Sequence, residues 1–249
     1  MILVLGGTSD SLDICDRINK YENLPYILSV TTSYGEGLAR KHSKNLITGK
    51  LAKQDKIDYI EKNNINKIID STHPYAIEVS INAIQCANEL GIEYIRYERK
   101  SLIDNINYEN KYIVSSIEDA CKIAREKGHN IFIGTGSKNL PKIVDLIPDR
   151  NLIVRVLPTS DVILSCEDLG INADNIIAMK GPFSQSINEE FYKHYDVDIV
   201  VTKESGITGG FLEKVNACEK LEIPVIIITR EKINYPIEVN DIDELEKLI

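Results

Sequence analysis

The sequence predicts an α/β protein with two Rossmann-like domains, each a parallel sheet flanked by helices, and with a cleft between the domains. Short apolar runs alternate with amphipathic stretches along all 249 residues, an order typical of βαβ units and parallel sheets. The runs are continuously apolar or β-branched, as expected of strands buried on both faces. Ten or more strands are too many for one small sheet, so two sheets fit the sequence better.

Five strands are predicted in the first part of the chain. They are Ile2–Leu5, Tyr26–Val30, Leu46–Thr48, Lys67–Asp70 and Glu93–Arg96. Residues Ala76–Leu90 carry apolar side chains on one helical stripe, and Gly91 stands where a glycine ends a helix. Pro74 is expected to be the first residue of that helix, because proline lacks the N–H that this position leaves unpaired.

The pattern restarts after a polar, asparagine-rich stretch, Ser101–Asn110, where we place the boundary between domain 1–100 and domain 101–249. The strands predicted beyond it are Tyr112–Val114, Ile131–Gly134, Leu152–Val156, Ile176–Met179, Asp198–Thr202 and Val225–Ile228. Helices are predicted over Ile117–Lys127, Gly210–Leu221 and Asp241–Leu248.

Composition and charge exclude several classes of function. With 43% hydrophobic and 27% charged residues, the chain is ordinary for a globular protein with a core. Its net charge of −9, its lack of Trp and its 6% aromatic residues argue against a nucleic-acid partner, which needs a basic face and stacking platforms. No apolar run reaches the roughly 18 residues of a transmembrane helix, and no basic signal-peptide leader is present. We therefore expect no membrane, and the sequence is compatible with a monomer.

The cysteine and histidine pattern argues against metal and disulfide sites. Five cysteines lie far apart without a C-x-x-C motif, which excludes a disulfide framework and a structural zinc site and favours the cytoplasm. No other histidine lies at metal-ligand spacing from His73, so we expect no metal.

Polar motifs follow nearly every predicted strand, at the edge where parallel sheets bind ligands. In the first domain they are Gly6–Asp10, Thr31–Gly35, Ser71–Tyr75 and Arg96–Arg99. In the second domain they are Gly134–Lys138, Arg155–Pro158, Lys180–Ser184, Lys203–Gly206 and Thr229–Arg230. The sequence therefore predicts two ligand-facing edges.

The run Gly6-Gly7-Thr8-Ser9 follows a strand and precedes a helix, which lets backbone N–H groups approach a phosphate. The full G-x-G-x-x-G pattern is not met, because Ser11 stands near the place of a later glycine, and a plain βα turn is the alternative. Thr32 and Ser33 end the second strand without the acid typical of NAD sites. This favours NADP or use of both cofactors, and ordinary strand-end hydroxyls without a ligand are an equal alternative.

His73 and Lys203 are the candidates for proton transfer. An imidazole at a strand's carboxyl end suits acid–base chemistry or ligand binding, although a lone histidine is more often structural. Lys203 lies in a glycine-rich turn, for which a flexible loop with a solvated lysine is the alternative. The loop Gly134–Lys138 could cradle an anionic group or form a tight turn, and Ser184 or Ser186 could cap a helix.

Taken in order, these motifs resemble the precorrin-6A reductase family of corrin-ring biosynthesis. The blocks that carry the resemblance are Gly6–Thr8, Asp70–Ala76, Arg96–Arg99, Thr135–Lys138, Arg155–Pro158, Gly181–Ser184 with Asn188, and Val201–Gly206 with Gly209–Gly210. They span residues 6–210 and depart from the family pattern at Ser11-Leu12 and at Lys100.

The resemblance implies a reductase with a nicotinamide cofactor, NADPH or NADH, and a tetrapyrrole substrate in the interdomain cleft. It implies hydride transfer to one double bond of precorrin-6A or cobalt-precorrin-6A, with a proton delivered by His73, Lys203 or a bound water. The expected cofactor-binding residues are Gly6, Gly7, Thr8, Ser9, Thr32, Ser33, Thr72, Ser205 and Gly206. The expected substrate-binding residues are Tyr75, Arg96, Arg99, Gly136, Ser137, Lys138, Arg155, Lys180 and Ser184. A composition rich in Ile, Lys and Asn favours an anaerobe and the cobalt-loaded substrate.

Two other functions remain open from the residues alone. A dinucleotide sensor without chemistry would explain the first glycine loop, but it has no evident use for the cations in the second domain. An NADP-dependent reductase or epimerase of a smaller anionic substrate would share the fold, and the absence of a Y-x-x-x-K motif weakens that alternative.

Overall fold

The structure is a computed structural model that describes residues 1–206 and 209–249, except for the side chain of Tyr34. The described residues form two units, Met1–Lys100 with Glu231–Ile249, and Ser101–Arg230. Each unit contains one sheet of six strands, and every pair of neighbouring strands is parallel. The predicted class, α/β with two parallel sheets flanked by helices, is confirmed.

The elements of the described residues alternate along the chain. The strands are β1 (Ile2–Leu5), β2 (Tyr26–Val30), β3 (Leu46–Thr48), β4 (Lys67–Asp70), β5 (Glu93–Tyr97), β6 (Lys111–Val114), β7 (Asn130–Gly134), β8 (Asn151–Val156), β9 (Ile176–Ala178), β10 (Ile199–Lys203), β11 (Val225–Ile228) and β12 (Glu238–Val239). The α-helices are α1 (Ser9–Ile18), α2 (Ser33–Ala39), α3 (Lys53–Lys62), α4 (Ile77–Leu90), α5 (Ile117–Lys127), α6 (Leu140–Leu146), α7 (Ser160–Asp168), α8 (Gln185–His194), α9 (Phe211–Lys220) and α10 (Ile242–Glu246). Short 3-10 helices cover Ile103–Asn105, Ser137–Asn139 and Ala173–Asn175.

The first sheet has the strand order β3-β2-β1-β4-β5-β12. Alternate side chains of β1 enter opposite cores: Ile2 and Val4 pack with residues of α1 and α10, whereas Leu3 and Leu5 pack with residues of α3 and α4. Because helices bury both faces of the sheet, its strands are continuous apolar runs in the sequence.

The second sheet has the order β9-β8-β7-β10-β11-β6. Ile131 and Ile133 of β7 face a core shared with α5, α6 and α7. Phe132, between them, faces a core shared with α8 and α9. The same burial on both faces explains why this half of the chain repeats the pattern of the first.

Each sheet has a point at which its strand order reverses, and this point positions the candidate site. In the first sheet the order reverses around β1, so the loops after β1 and β4 flank a crevice at the carboxyl edge. In the second sheet the order reverses around β7, so the loops after β7 and β10 flank a crevice at the carboxyl edge of that sheet. These loops contain Gly6, Gly7, His73, Gly136 and Gly206, and Lys203 is the last residue of β10, directly before its loop.

The predicted extent of the second domain, 101–249, is wrong over its last 19 residues, Glu231–Ile249. There β12 pairs with β5 in the first sheet, Glu238 opposite Arg96, and Leu245 of α10 is buried in the first unit's core. The polar stretch Ser101–Asn110 is not a bare linker, because Ile106 is buried in a core of the second unit.

The start of α4 also differs from the prediction. The helix begins at Ile77, and the Ala76 N–H donates to the His73 carbonyl at 2.7 Å, which closes a turn over Pro74 and Tyr75. Pro74 is therefore not the first helical residue. Gly91 ends α4 in the left-handed conformation, at φ +65°, as predicted.

The described residues contain neither a membrane-spanning helix nor a cluster of metal ligands. None of the helices there combines the length and apolar character that crossing a bilayer requires. Within the same residues, no three His, Cys, Asp or Glu side chains are grouped so that they could hold a metal ion. All five cysteines are free and buried.

Candidate active site

The loop after β1 requires glycine at two successive positions. A Cβ at Gly6 would lie 2.7 Å from Leu28 Cδ1 and 2.9 Å from Ser11 Oγ, closer than real Cβ atoms approach. Gly7 has φ +108°, and a Cβ there would meet no described atom within 4 Å. The loop therefore presents open backbone at the N-terminus of α1, a position suited to an anionic phosphate.

Ser11 occupies the place near which a later glycine was expected. Its buried Oγ donates to the Thr8 carbonyl at 2.6 Å and accepts from the N–H groups of Gly7 and Thr8 at 3.2 and 3.3 Å. Thr8 Oγ1 in turn accepts from the Ser11 N–H, so Thr8 caps α1. Since the Gly7 and Thr8 amides are used within the loop, the first-turn N–H groups of Ser9 and Asp10 are better placed to bind a phosphate.

Arg99 lies at the same helix end. Its Nε donates to Asp10 Oδ1 at 2.7 Å, its Nη2 donates to Ser9 Oγ at 2.9 Å, and the guanidinium forms an ion pair with the Asp10 carboxylate. Arg99 was predicted to bind substrate, but the structure places it with the predicted cofactor-binding residues of the first unit.

The carboxyl end of β2 presents hydroxyl groups. Thr32 Oγ1 accepts from the Gly35 N–H at 3.0 Å and caps α2, and Ser33 is exposed. Glu36, in the first turn of α2, forms an ion pair with Arg40, and hydrogen bonds from Thr48 and then Arg40 lower the pKa of its carboxyl. The Glu36 carboxylate therefore already has partners, Arg40 and Thr48, within the chain.

A buried ion pair organises the end of β4. Arg96 Nη1 donates to Asp70 Oδ1 at 2.9 Å and to Thr72 Oγ1 at 3.2 Å, and Arg96 Nε donates to Glu98 Oε2 at 2.9 Å. Asp70 also accepts from the Thr72 hydroxyl at 2.7 Å and from the Tyr94 hydroxyl at 2.6 Å. Burial raises the pKa of Asp70, but the Arg96 charge and the surrounding hydrogen bonds together hold it below its ordinary value.

The network gives Arg96 and Thr72 roles that differ from the predicted ones. Arg96 is 1% exposed, so its guanidinium holds the loop after β4 in place instead of meeting a substrate. The Thr72 hydroxyl is bound to Asp70 and Arg96, which leaves it unsuited to contact a cofactor. Sequence alone could not separate these residues from surface ligands, because only their burial distinguishes them.

His73 and Tyr75 lie beyond this network at the same edge. The His73 side chain is exposed, and its Nδ1 accepts from the Tyr75 N–H at 3.3 Å. A neutral ring with Nδ1 as acceptor carries its proton on Nε2. The two rings lie 5.6 Å apart, centre to centre. Thr8 Oγ1 donates to the Ser71 carbonyl at 2.8 Å and so joins the loops after β1 and β4.

In the second unit the loop after β7 is open and has an unsatisfied hydroxyl. Gly136 has φ +79°, and Ser137 and Lys138 begin a 3-10 helix. Thr135 Oγ1 is buried and has no hydrogen-bond partner among the described residues. Leaving such a group unpaired costs about 1–3 kcal/mol, so a ligand that bonds to it would be favoured.

The end of β10 contributes Lys203. Burial, and then the nearby charge of Lys138, lower the pKa of Lys203 from its ordinary value. After it, Ser205 Oγ donates to the Gly209 carbonyl at 3.1 Å, and Gly206 has φ +71°. Ser205 and Gly206, predicted to bind cofactor, therefore form the turn that follows β10.

A pocket of about 360 Å³ opens at the carboxyl edge of the second sheet. It brings together three predicted substrate-binding residues, Gly136, Arg155 and Lys180, whereas Ser137, Lys138 and Ser184 do not line it.

Arg155 is held firmly in that pocket. It is 8% exposed, and its Nη1 donates to Asn188 Oδ1 at 2.7 Å. The guanidinium carbon lies 4.3 Å from the ring centre of Phe183 and 5.1 Å from that of Phe132. Asn188 is itself fixed by donating to the Ser184 carbonyl at 2.9 Å, and of the two candidate caps, Ser184 and Ser186, it is Ser184 that caps α8.

Lys214 is a pocket residue that the sequence analysis missed. It is 7% exposed, and its Nζ donates to Ser205 Oγ at 3.2 Å and to Thr202 Oγ1 at 3.4 Å. The available signal was its spacing on α9, where it shares the buried face with Phe211 and Val215. A lysine on an apolar helical face indicates a buried charge.

Comparison with known proteins identifies the family. The family described as precorrin-6x reductase CbiJ/CobK matches residues 1–249. The chain belongs to this family. It is 39% identical to the cobalt-precorrin-6A reductase of Methanocaldococcus jannaschii over 249 residues, which cover 100% of this chain and 97% of the relative. It is 37% identical to the cobalt-precorrin-6A reductase of Salmonella typhimurium over 229 residues, which cover 92% of this chain and 87% of the relative.

A solved structure, "CobK precorrin-6A reductase", shares the fold, with a TM-score of 0.79 and 18% identity over 99% of this chain and 95% of that one. The resemblance inferred from the motifs is confirmed, and with it the class of enzyme, a reductase of a carbon–carbon double bond in cobalamin biosynthesis.

Proposed function

We propose that this protein reduces one double bond of the cobalt-precorrin-6A macrocycle, using NADPH, to give cobalt-precorrin-6B. The observation that carries the proposal is the concentration of cations at the carboxyl edge of the second unit, in a chain whose net charge is −9. These cations are Lys138, Arg155, Lys180 and Lys203. Such a cluster suits a substrate with many carboxylates.

The names of the two relatives support the cobalt-loaded substrate. Both relatives, at 39% and 37% identity, are cobalt-precorrin-6A reductases. Because they are similar along most of this chain, we assign the same form of the substrate to it.

The first unit fits a nicotinamide dinucleotide. The open backbone at Gly7 and the first-turn amides of α1 suit its phosphates, with Arg99 beside Ser9 as a cationic partner. Hydroxyl groups at Thr32 and Ser33, in place of an acid, favour the 2′-phosphate of NADPH. When bound, the nicotinamide supplies the hydride.

The proton for the neighbouring carbon is assigned to His73 or Lys203. Burial and the Lys138 charge make the Lys203 ammonium a stronger acid than an ordinary lysine. The His73 Nε2–H is the corresponding donor in the first unit. Each group lies at the carboxyl edge of its own sheet, beside the reversal of strand order: His73 in the loop after β4, and Lys203 as the last residue of β10.

The test is turnover without oxygen. Purified protein is mixed with cobalt-precorrin-6A and either NADPH or NADH, and nicotinamide absorbance and product mass are followed. We expect oxidation of NADPH, faster than that of NADH, and a product heavier by two hydrogens. Cofactor binding without any change in substrate mass would refute the reductase proposal.

Variants then separate the two proton donors. Lys203→Met or His73→Asn should lower kcat at least about 100-fold for the true donor, because general acid catalysis contributes roughly that much or more. Lys122→Met, on the exposed side of α5, serves as the control. If neither variant lowers kcat, a bound water delivers the proton and both assignments are wrong.

A further inference from the structure

Two buried cations meet at the pocket of the second unit, and no described carboxylate is paired with either of them. Arg155 and Lys214 both line it, and they are 8% and 7% exposed. Their hydrogen-bond partners are neutral: an amide oxygen of Asn188 for Arg155, and the hydroxyls of Ser205 and Thr202 for Lys214. Among the described residues, no carboxylate lies within ion-pair distance of either cation.

The charges around Lys214 make its ammonium form unfavourable in the free protein. Burial, and then the Arg155 charge from β8, lower the pKa of Lys214 to about 7. Glu213 and Cys218, both on the same helix, raise the pKa of Lys214, but they do not bring it back to its ordinary value. Arginine keeps its proton in proteins, so Arg155 stays charged. An anion that enters the pocket would therefore supply a counter-charge to Arg155 and to the Lys214 ammonium at the same time.

A purely structural role accounts poorly for this arrangement. Hydrogen bonds to two hydroxyls could be made by a neutral side chain, which would avoid the desolvation of an ammonium group. Asn188 and two aromatic rings fix the Arg155 guanidinium in one place, as a binding group requires.

The pocket walls indicate the kind of anion. Val156, Leu157, Met179, Pro182 and Phe183 line it with apolar surface around the two cations. A carboxylate attached to an apolar ring system matches such walls, whereas the phosphates of a nucleotide are strongly hydrated and lack an apolar body next to the charge. The phosphates also have a separate candidate site at the N-terminus of α1.

We propose that this pocket is an anion subsite in which Lys214 and Arg155 together bind one carboxylate of the substrate. The identity of the anion rests on the proposed function. Lys214 then acts in substrate recognition, because its charge completes a pair only when the carboxylate is present.

The experiment measures equilibrium binding of cobalt-precorrin-6A by calorimetry, without NADPH, to wild type and to Lys214→Met. The dissociation constant should rise about 30-fold or more in the variant, the usual scale for removing one partner of a buried charge pair. NADPH binding should change less than about 2-fold. Lys220→Met is the matched control, because Lys220 lies on the same helix, is exposed and pairs with Glu189 outside the pocket.

A second measurement detects the charge on Lys214 directly. Carboxylate binding raises the Lys214 pKa, so wild type at pH 8 should take up close to one proton when substrate binds. Calorimetry in buffers of different ionisation enthalpy reports this uptake, and Lys214→Met should lose it. At pH 6, below its pKa of about 7, Lys214 is charged, and the free Lys214→Met variant should then melt at or above the temperature of wild type, since an uncompensated buried charge has been removed.

The outcomes separate the two proposals. If wild type binds cobalt-precorrin-6A but does not reduce it, the proposed function is refuted. The subsite is then decided by whether Lys214→Met binds the same compound more weakly than wild type. Turnover by wild type, with unchanged substrate binding in Lys214→Met, overturns the subsite alone. Weaker binding of NADPH in place of substrate, or a loss of kcat at unchanged substrate affinity, also overturns it. Absence of substrate binding in wild type overturns both.

Discussion

The buried pair between Asp70 and Arg96 should make Asp70→Asn strongly destabilising. Asparagine keeps the size of the side chain and an oxygen that accepts from Thr72, but it removes the negative charge. Of the described carboxylates, Glu98 alone would then remain as an ion-pair partner of Arg96, which is 1% exposed.

The size of the effect follows from that geometry. Removing one partner of a buried ion pair costs about 3–5 kcal/mol. Because Arg96 Nε still donates to Glu98 Oε2 at 2.9 Å, the lower end applies, about 3 kcal/mol. A chain of this length loses roughly 2–4 °C in Tm per kcal/mol, so Asp70→Asn should melt about 6–12 °C below wild type.

The effect should depend on pH with a definite sign. The pKa of Asp70 is lowered in the folded protein, so its charge contributes full stability above its unfolded value, about 3.9. That contribution is lost as the pH falls through the folded pKa. The difference in Tm between wild type and Asp70→Asn should therefore be constant from pH 6 to 8 and shrink below about pH 4.

Differential scanning calorimetry of Asp70→Asn, Arg96→Met and the double variant tests the reasoning. The double variant should lose less stability than the sum of the single variants, because the two charges of the buried Asp70–Arg96 pair are then removed together and neither is left without the other. A Tm for Asp70→Asn within 1–2 °C of wild type would refute the stabilising role of the pair. A stable Arg96→Met with a raised substrate KM would show that Arg96 contacts the substrate after all.

Three further predictions follow from the first unit. Gly6→Ala should weaken NADPH binding at least about 10-fold, because the new Cβ would lie 2.7 Å from Leu28 and would shift the loop. The control is Gly37→Ala, where a Cβ would meet no atom within 4 Å. Equal NADPH affinities of Gly6→Ala and wild type in a fluorescence titration would contradict the prediction. Arg99→Ala should raise the KM for NADPH about 10-fold and change the KM for the tetrapyrrole substrate little. If steady-state kinetics show a raised KM for the substrate and an unchanged KM for NADPH, Arg99 binds the substrate. Truncation of the chain after Arg230 should lower the Tm of the first unit, because the loss of β12 and α10 exposes the edge of β5. An unchanged profile in scanning calorimetry would contradict the packing of β12 and α10 against the first unit.

Much of the fold was predictable from local sequence. The strands in both halves appear as continuous apolar runs because helices bury both faces of each sheet, and that pattern lies within a few neighbouring residues. The turn glycines were also predictable, because a positive φ or a close approach at Gly6, Gly7 and Gly91 leaves little choice of residue.

The C-terminal segment was not predictable in the same way. Strand β12 has only two residues and pairs with β5, which lies about 140 positions earlier in the chain. Two residues are too few to show a period, and the pairing depends on a contact that local propensity does not encode. The second domain was therefore extended too far in the sequence-based prediction.

The cations show most clearly what the sequence determined and what only the tertiary structure decided. Placing Arg96, Arg99, Arg155 and Lys203 at strand ends follows from chain order, because parallel strands put their carboxyl ends on one edge. Which charges are compensated does not follow from chain order. Among the described residues, Arg96 is paired and buried, Arg155 is buried with the neutral Asn188 as its hydrogen-bond partner, and Lys214 enters the pocket from a helix. Desolvation and pairing depend on groups distant in sequence, so the roles of these side chains were decided only when the chain folded.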